Sequence, residues 1–294
     1  MISNLLQQTI IDHVKSYSGI QVKECKWFAV GGGSINTAYC VQVNDTYKFF
    51  LKLNDNVGLS GLFTAEKEGL LLLGSHKVIR VPTVIAEGKT GNVQYLLLEW
   101  IEQGEKSQSF WESMGSQLAG LHYISGQTYG LDANNFIGSL PQSNDKAPTW
   151  CQFFVEERLR PLVKRAVDNN YLQTQHLHQF DGLYKRLEEI FPEEGKSSLL
   201  HGDLWSGNYC CDLNSQPVLI DPAVYYGHHS MDMAKTTLFG GFDPVFYESY
   251  QYYFPSPANY KEQWEICNLY PLLVHLILFG KNYLPEILYT IRRY

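Results

Sequence analysis

The apolar pattern of this chain changes character once, near residue 101, and that change restricts the folds open to it. Before it, residues 24–30, 37–43, 47–53, 84–87 and 94–101 read as strands. Asn44-Asp45 is a tight hairpin signal, and Gly88-Lys89-Thr90-Gly91 marks a second turn. Two helices accompany the strands. Residues 2–17 place Ile2, Leu5, Leu6, Ile10 and Val14 at helical spacing, and residues 60–74 carry Phe63, Leu70, Leu71 and Leu73. Beyond 101 the helical period dominates, over 107–124, 150–170, 172–191, 230–239, 243–253, 259–279 and 283–292. One strand–loop–strand unit interrupts it at 198–222, and a Gly-, Asn- and Pro-rich connection runs over 130–148. The expected fold is α+β and bilobal. A small β-rich lobe, residues 1–101, carries one inserted helix, and a larger, mainly helical lobe fills residues 102–294. Ligands favour the cleft between such lobes.

Charge narrows the ligand classes. The 294 residues carry 23 Lys and Arg against 30 Asp and Glu, a net charge of −7. Nucleic-acid coats and polybasic membrane binders rely on Lys and Arg meeting phosphates, so neither partner is expected. An acidic chain that handles phosphate must do so locally, with a few placed cations or a metal. The cysteines at 25, 40, 151, 210, 211 and 267 form neither C-x-x-C nor any zinc-finger spacing, and Cys210-Cys211 reads as a small buried apolar pair. The first residues lack the basic and apolar regions of a signal peptide. The apolar stretch 269–280 is broken by Pro271 and His275 and is too short to span a bilayer. A reduced, cytoplasmic protein is expected.

Three sequence features point to phosphoryl transfer. Gly31-Gly32-Gly33-Ser34-Ile35-Asn36 lies between two strands, which excludes a Walker A loop or a dinucleotide fingerprint, both of which open a helix. A strand–glycine turn–strand is also the flap that covers nucleotide phosphates in kinases, although a plain hairpin turn reads the same way. Lys52 follows on the third strand of this region, sharing a face with Lys48 and Phe50. Of the two acids on the next helix, Glu66 lies on the apolar side with Phe63, so Glu66 rather than Glu68 is the expected partner of Lys52. The strongest feature is His201-Gly202-Asp203-Leu204-Trp205-Ser206-Gly207-Asn208, followed by Val218-Leu219-Ile220-Asp221-Pro222. Phosphoryl transfer needs a carboxylate to orient the attacking hydroxyl, and oxygen ligands for Mg2+. Asp203 fits the first need, and Asn208 and Asp221 fit the second. His201 is expected to anchor the loop. Trp205 is read as a platform for a sugar face or a core aromatic, and Tyr225 as a second sugar contact.

These residues carry a family likeness. The His201–Asn208 segment, Ile220-Asp221-Pro222-Ala223-Val224-Tyr225-Tyr226-Gly227-His228 and Leu238-Phe239-Gly240-Gly241-Phe242 resemble the fructosamine (ketosamine) kinases, in the aminoglycoside phosphotransferase-like branch of the protein-kinase fold. The likeness extends through Asn134-Asn135-Phe136-Ile137-Gly138, Trp150, Phe153, Phe154, Glu157, Arg158, Leu159 and Tyr270-Pro271-Leu272-Leu273. It implies ATP- and Mg2+-dependent phosphorylation of the sugar part of a ketoamine, either a small molecule or a glycated lysine on a protein. It further implies Asp203 as base, Asn208 and Asp221 on Mg2+, Lys52 paired with Glu66, and an adenine-binding hinge at Glu99, Trp100 and Ile101. Phosphorylation at the 3-hydroxyl, also implied only by the likeness, would let the adduct lose phosphate and release its amine. Two positions depart from the pattern. Ser34 stands where relatives often carry Cys, and His229-Ser230 where they commonly carry Arg-Glu. A monomer or weak dimer is expected. Kinases of the same fold acting on aminoglycosides, choline or sugars, and a non-enzymatic nucleotide-binding module, are the competing readings.

Overall fold

Asn44 and Asp45 both adopt positive φ, 51° and 58°, giving a turn whose twist matches its flanking strands. The hairpin it closes is the centre of the first lobe in the computed structural model, which describes residues 2–31, 35–192 and 196–294. Strands β1 (Cys25–Val30), β2 (Thr37–Val43), β3 (Tyr47–Asn54), β4 (Val84–Thr90) and β5 (Val93–Glu99) form an antiparallel sheet in the order β1-β2-β3-β5-β4. Side-chain alternation gives the sheet two apolar faces. Phe49, Leu51, Tyr95 and Leu97 pack under Leu6, Ile10 and Val14 of helix α1 (Asn4–Ser18). Phe50, Leu96 and Leu98 pack under Phe63 and Leu70 of α2 (Leu62–Ser75). Lys52, two residues from Phe50, therefore faces α2.

The second lobe is built from α3 (Gln108–His122), α4 (Trp150–Phe153), α5 (Arg160–Asp168), α6 (Thr174–Ile190), α7 (Ser230–Leu238), α8 (Pro244–Tyr253), α9 (Tyr260–Cys267), α10 (Leu269–Phe279) and α11 (Leu284–Ile291). Several of these refine the expected spans. The helix expected over 150–170 is interrupted by a π-helical stretch, Phe154–Leu159, which carries the fully buried Arg158. The helix expected over 259–279 breaks at Asn268, because Pro271 has no N–H to donate to the carbonyl of Cys267. The 130–148 connection contains a small hairpin, β6 (Asn135–Ile137) and β7 (Leu140–Gln142). The strand–loop–strand unit resolves into β8 (Ser198–Leu200), β9 (Tyr209–Cys211) and β10 (Pro217–Leu219). Strand β11 (Tyr225–Gly227) returns to pair with β8.

Arg80, between α2 and β4, ties the lobes together. Its carbonyl accepts from the Leu219 amide at 2.9 Å. Its guanidinium reaches Asp212 at 2.5 Å and also pairs with Glu99. Among the described residues all six cysteines are free thiols, and no helix is long and apolar enough to cross a membrane.

His228 and His229 stack, with ring centroids 4.3 Å apart, beside Trp150, Phe191 and Phe254. Burial, then the nearby His122, pushes His228 from its ordinary 6.5 down to about 3. Burial likewise holds His229 well below 6.5. Between about pH 6.5 and 3 the unfolded chain binds a proton that the folded ring refuses, so stability falls as the pH falls through that window. The slope per ring is at most about 1.4 kcal/mol per pH unit. Replacing His228 with Phe is expected to flatten the decline between about pH 6.5 and 4.5 in urea denaturation series. Equal slopes for the two proteins would contradict a neutral buried His228.

Candidate active site

The site begins with a buried ammonium. Lys52 is 5% exposed and its Nζ lies 2.7 Å from Glu66 on α2 and 2.6 Å from Asp221 of the other lobe. Burial alone would lower its pKa, but the two carboxylates outweigh that and hold it above the ordinary lysine range. Burial pushes Glu66 above the usual carboxylate range, with the Lys52 charge opposing it. Lys48, on the same strand face, reaches out to Glu102 at 2.6 Å instead. Among the expected partners, Glu66 and not Glu68 meets Lys52, as the apolar side of α2 requires.

The catalytic-type loop is fixed from behind. Gly202 has φ +80°, and a Cβ there would lie 2.0 Å from the Ala223 carbonyl oxygen, so only glycine fits. The Asp232 carboxylate on α7 accepts the amides of His201 at 2.7 Å and Gly202 at 2.9 Å. Burial pushes Asp232 up, but hydrogen bonding and charge from His122 and the Gly202 amide hold it below the ordinary aspartate value. His201 Nε2 donates to the Ile220 carbonyl at 2.8 Å, and its Nδ1 accepts the Asp203 amide at 3.2 Å. Those two bonds join the loop to the segment before Asp221.

The reactive groups converge on this frame. Asn208 Nδ2 donates to the Asp203 carbonyl at 2.8 Å and to its carboxylate Oδ2 at 2.9 Å. The Ile220 amide donates to the Asn208 carbonyl at 3.0 Å, which sets Asp221 beside Asn208. Asp221 itself adopts a left-handed φ of 54°, a conformation uncommon for a residue with a side chain. The other Asp203 oxygen is held by Lys235 of α7. A cavity of about 260 Å³ is lined by Lys52, Glu66, Asp203, Asn208, Asp221 and Lys235, with Trp205 and Phe279 among its aromatic walls.

The expected residues do not all meet here. Trp205 lines the cavity, 36% exposed, its ring edge-on to Phe239 at 6.1 Å. Tyr225, expected as a sugar contact, is fully buried and does not line it. Strand β11 turns Tyr225 into the core, where the Arg158 guanidinium covers its ring at 4.0 Å. Glu99, Trp100 and Ile101 and the exposed Gly31 lie outside the cavity lining. The Glu99 carboxylate is taken by Arg80 and by Thr83, whose amide and hydroxyl lie at 3.1 and 3.0 Å, and the Glu99 amide donates to the Thr83 carbonyl at 2.9 Å. Gly32, Gly33 and Ser34 lie outside the described residues.

Sequence reasoning missed Asp232, Lys235 and Asn135. Only the four- and three-residue spacing of His228, Asp232 and Lys235 around α7 could have flagged the first two. Asn135 lines the cavity and donates to the Val224 carbonyl at 2.8 Å. Replacing Asp232 with Ala strips two buried amides of their acceptor, each worth about 1–3 kcal/mol. The variant is expected to lose about 2–5 kcal/mol of stability and most turnover, read by denaturant unfolding and a coupled assay.

A model of the fructosamine kinase family matches residues 6–294. A "Probable ketoamine kinase" of Lactiplantibacillus plantarum is 39% identical over 259 residues, covering 88% of this chain and 90% of its own. The "Protein-ribulosamine 3-kinase, chloroplastic" of Arabidopsis thaliana is 36% identical, covering 87% of this chain and 78% of its own. The crystal structure of a "Putative fructosamine-3-kinase" from Haemophilus somnus superposes with a TM-score of 0.85 at 25% identity, covering 99% of each chain. The bilobal arrangement of sheet and helices is that of kinase-like proteins, and the chain belongs to the fructosamine kinase family, phosphotransferases that act on a hydroxyl group of ketoamines.

Proposed function

We propose that the chain transfers the terminal phosphoryl of ATP to the 3-hydroxyl of a fructosamine or ribulosamine, carried on a small amine or a glycated lysine. The observation that carries this reading is that Asp203, Lys52 and the partly exposed Trp205 line one cavity. In this reading the acceptor hydroxyl donates to Asp203, which takes its proton as the hydroxyl oxygen attacks in line. Trp205 presents an apolar face on which a sugar ring stacks. Lys52 bonds phosphate oxygens on the donor, with Glu66 holding it in place. The backbone of residues 99–101 serves the adenine edge, at a lobe junction of 101 and 102, and the glycine turn 31–33 with Ser34 covers the phosphates.

The residues at the loop fit Mg2+. Asn208 uses its amide nitrogen on Asp203 and keeps Oδ1 for a cation, and Asp221 adds a carboxylate oxygen. Hard oxygen donors suit Mg2+. No group of three or more His, Cys, Asp or Glu that could hold a metal is found among the described residues, so phosphate oxygens and water would complete the shell. The ion supplies neutralisation of charge on the phosphates. Phosphate on C3 becomes allylic once the adduct enolises toward C1. It leaves from there, and hydrolysis of the resulting imine frees the amine.

Asp203→Asn is expected to lower turnover by roughly 10²–10⁴-fold while ATP binding survives. Near-normal turnover would overturn the assignment of the base. An acceptor panel of ribuloselysine, fructoselysine, choline and kanamycin, with NMR to locate the phosphate, tests the substrate class. Activity confined to choline or kanamycin would overturn it.

A further inference from the structure

Lys235 belongs to no motif that defines the site, yet it sits at its centre. The residue is 6% exposed and lines the cavity, and its ammonium contacts Asp203 Oδ1 while Asn208 holds Oδ2. Its place on α7 explains the aim. Asp232, three residues earlier, is bound to the His201 and Gly202 amides, so the same helix face that anchors the loop also delivers Lys235 to Asp203.

An ammonium carries three donors and is expensive to bury. Asp203 is the only hydrogen-bond partner Lys235 has among the described residues. Lys52, the other lysine lining the cavity, gives two of its three donors to Glu66 and Asp221, which leaves one for a donor phosphate, against two unused on Lys235. Lys235 is therefore the cation of the cleft with more donors to spare, and it stands beside the group that receives the acceptor hydroxyl. The phosphorus under attack must lie within about 3–3.5 Å of that hydroxyl oxygen, within reach of a side chain already touching Asp203.

We propose that Lys235 is a catalytic cation that bridges Asp203 and a non-bridging oxygen of the phosphoryl group in transfer. This rests on the reading of Asp203 as base. As the acceptor oxygen bonds to phosphorus, its proton passes to Asp203 and the bond to the β-phosphate oxygen breaks, its electron pair leaving with ADP. Lys235 keeps its protons throughout and offsets charge on the equatorial oxygens. The contact exists only when a third phosphate is present, which separates it from a purely supporting role on Asp203.

The test uses the full chain with Mg2+, comparing wild type with Lys235→Met, Lys235→Gln and Lys235→Arg, each checked for cooperative unfolding. Calorimetry measures binding of AMP-PNP and ADP. A charge-assisted bond to the terminal phosphate predicts that the preference for AMP-PNP over ADP falls about tenfold in the Met and Gln variants. ADP affinity stays unchanged, and Arg restores part of the preference. Turnover of the Met and Gln variants is expected to fall about 10²-fold with the KM for ATP little changed. An unchanged AMP-PNP-to-ADP ratio, whether or not turnover falls, overturns the proposal. Failure of the underlying base assignment shows separately, as an Asp203→Asn protein that still turns over.

Discussion

The buried ion triad of Lys52, Glu66 and Asp221 is the contact on which the rest of the cleft depends. A lysine almost closed off from water is tolerable only if both of its carboxylates are present, because removing one leaves an uncompensated charge. The two acids come from different lobes. β3 must therefore hold a register that sets Lys52 between Ala38 and Leu96. A one-residue slip would send its side chain to the α1 face. α2 must present Glu66, and the chain after β10 must bend into the left-handed turn at Asp221. The fold of each lobe is in this sense specified by the other.

A second framework, built without a carboxylate, supports another wall of the cavity. Arg158 is fully buried and hydrogen-bonds to the Ser143 carbonyl and, at 2.6 Å, to the Asn144 side chain. Asn144 in turn donates to Asn135 at 3.1 Å, and Asn135 reaches the Val224 carbonyl just beyond Asp221. Its flat cation is sandwiched against aromatic faces rather than paired with an acid, with Phe153 at 4.5 Å and Tyr225 at 4.0 Å. The wall is thus held without adding another negative charge to a cleft that must receive phosphates.

The sequence was most legible where local chemistry decides structure. The hairpin at Asn44-Asp45, the strand that carries Lys52, the choice of Glu66 and the spacing of Asp203 and Asn208 all depend on neighbours within a few residues. What stayed hidden depends on contacts between distant segments. Lys235 and Asp232 look like ordinary helix polar residues until α7 is docked on the loop. The burial of Arg158 depends on the π-helical stretch that turns it inward. The reading of Tyr225 failed for the same reason. A Tyr-Tyr pair in a strand puts one ring on each face, and only the docked partner decides which face is the core.

Arg80 has a mechanical consequence. It holds the end of β5 through Glu99, the Asp212 turn through its guanidinium, and Leu219 through its carbonyl. None of these residues lines the cavity, so they join the lobes at a second place besides the Lys52–Asp221 pair. Two separate ties, one inside the cavity and one outside it, therefore join the lobes, and loosening either leaves the other in place.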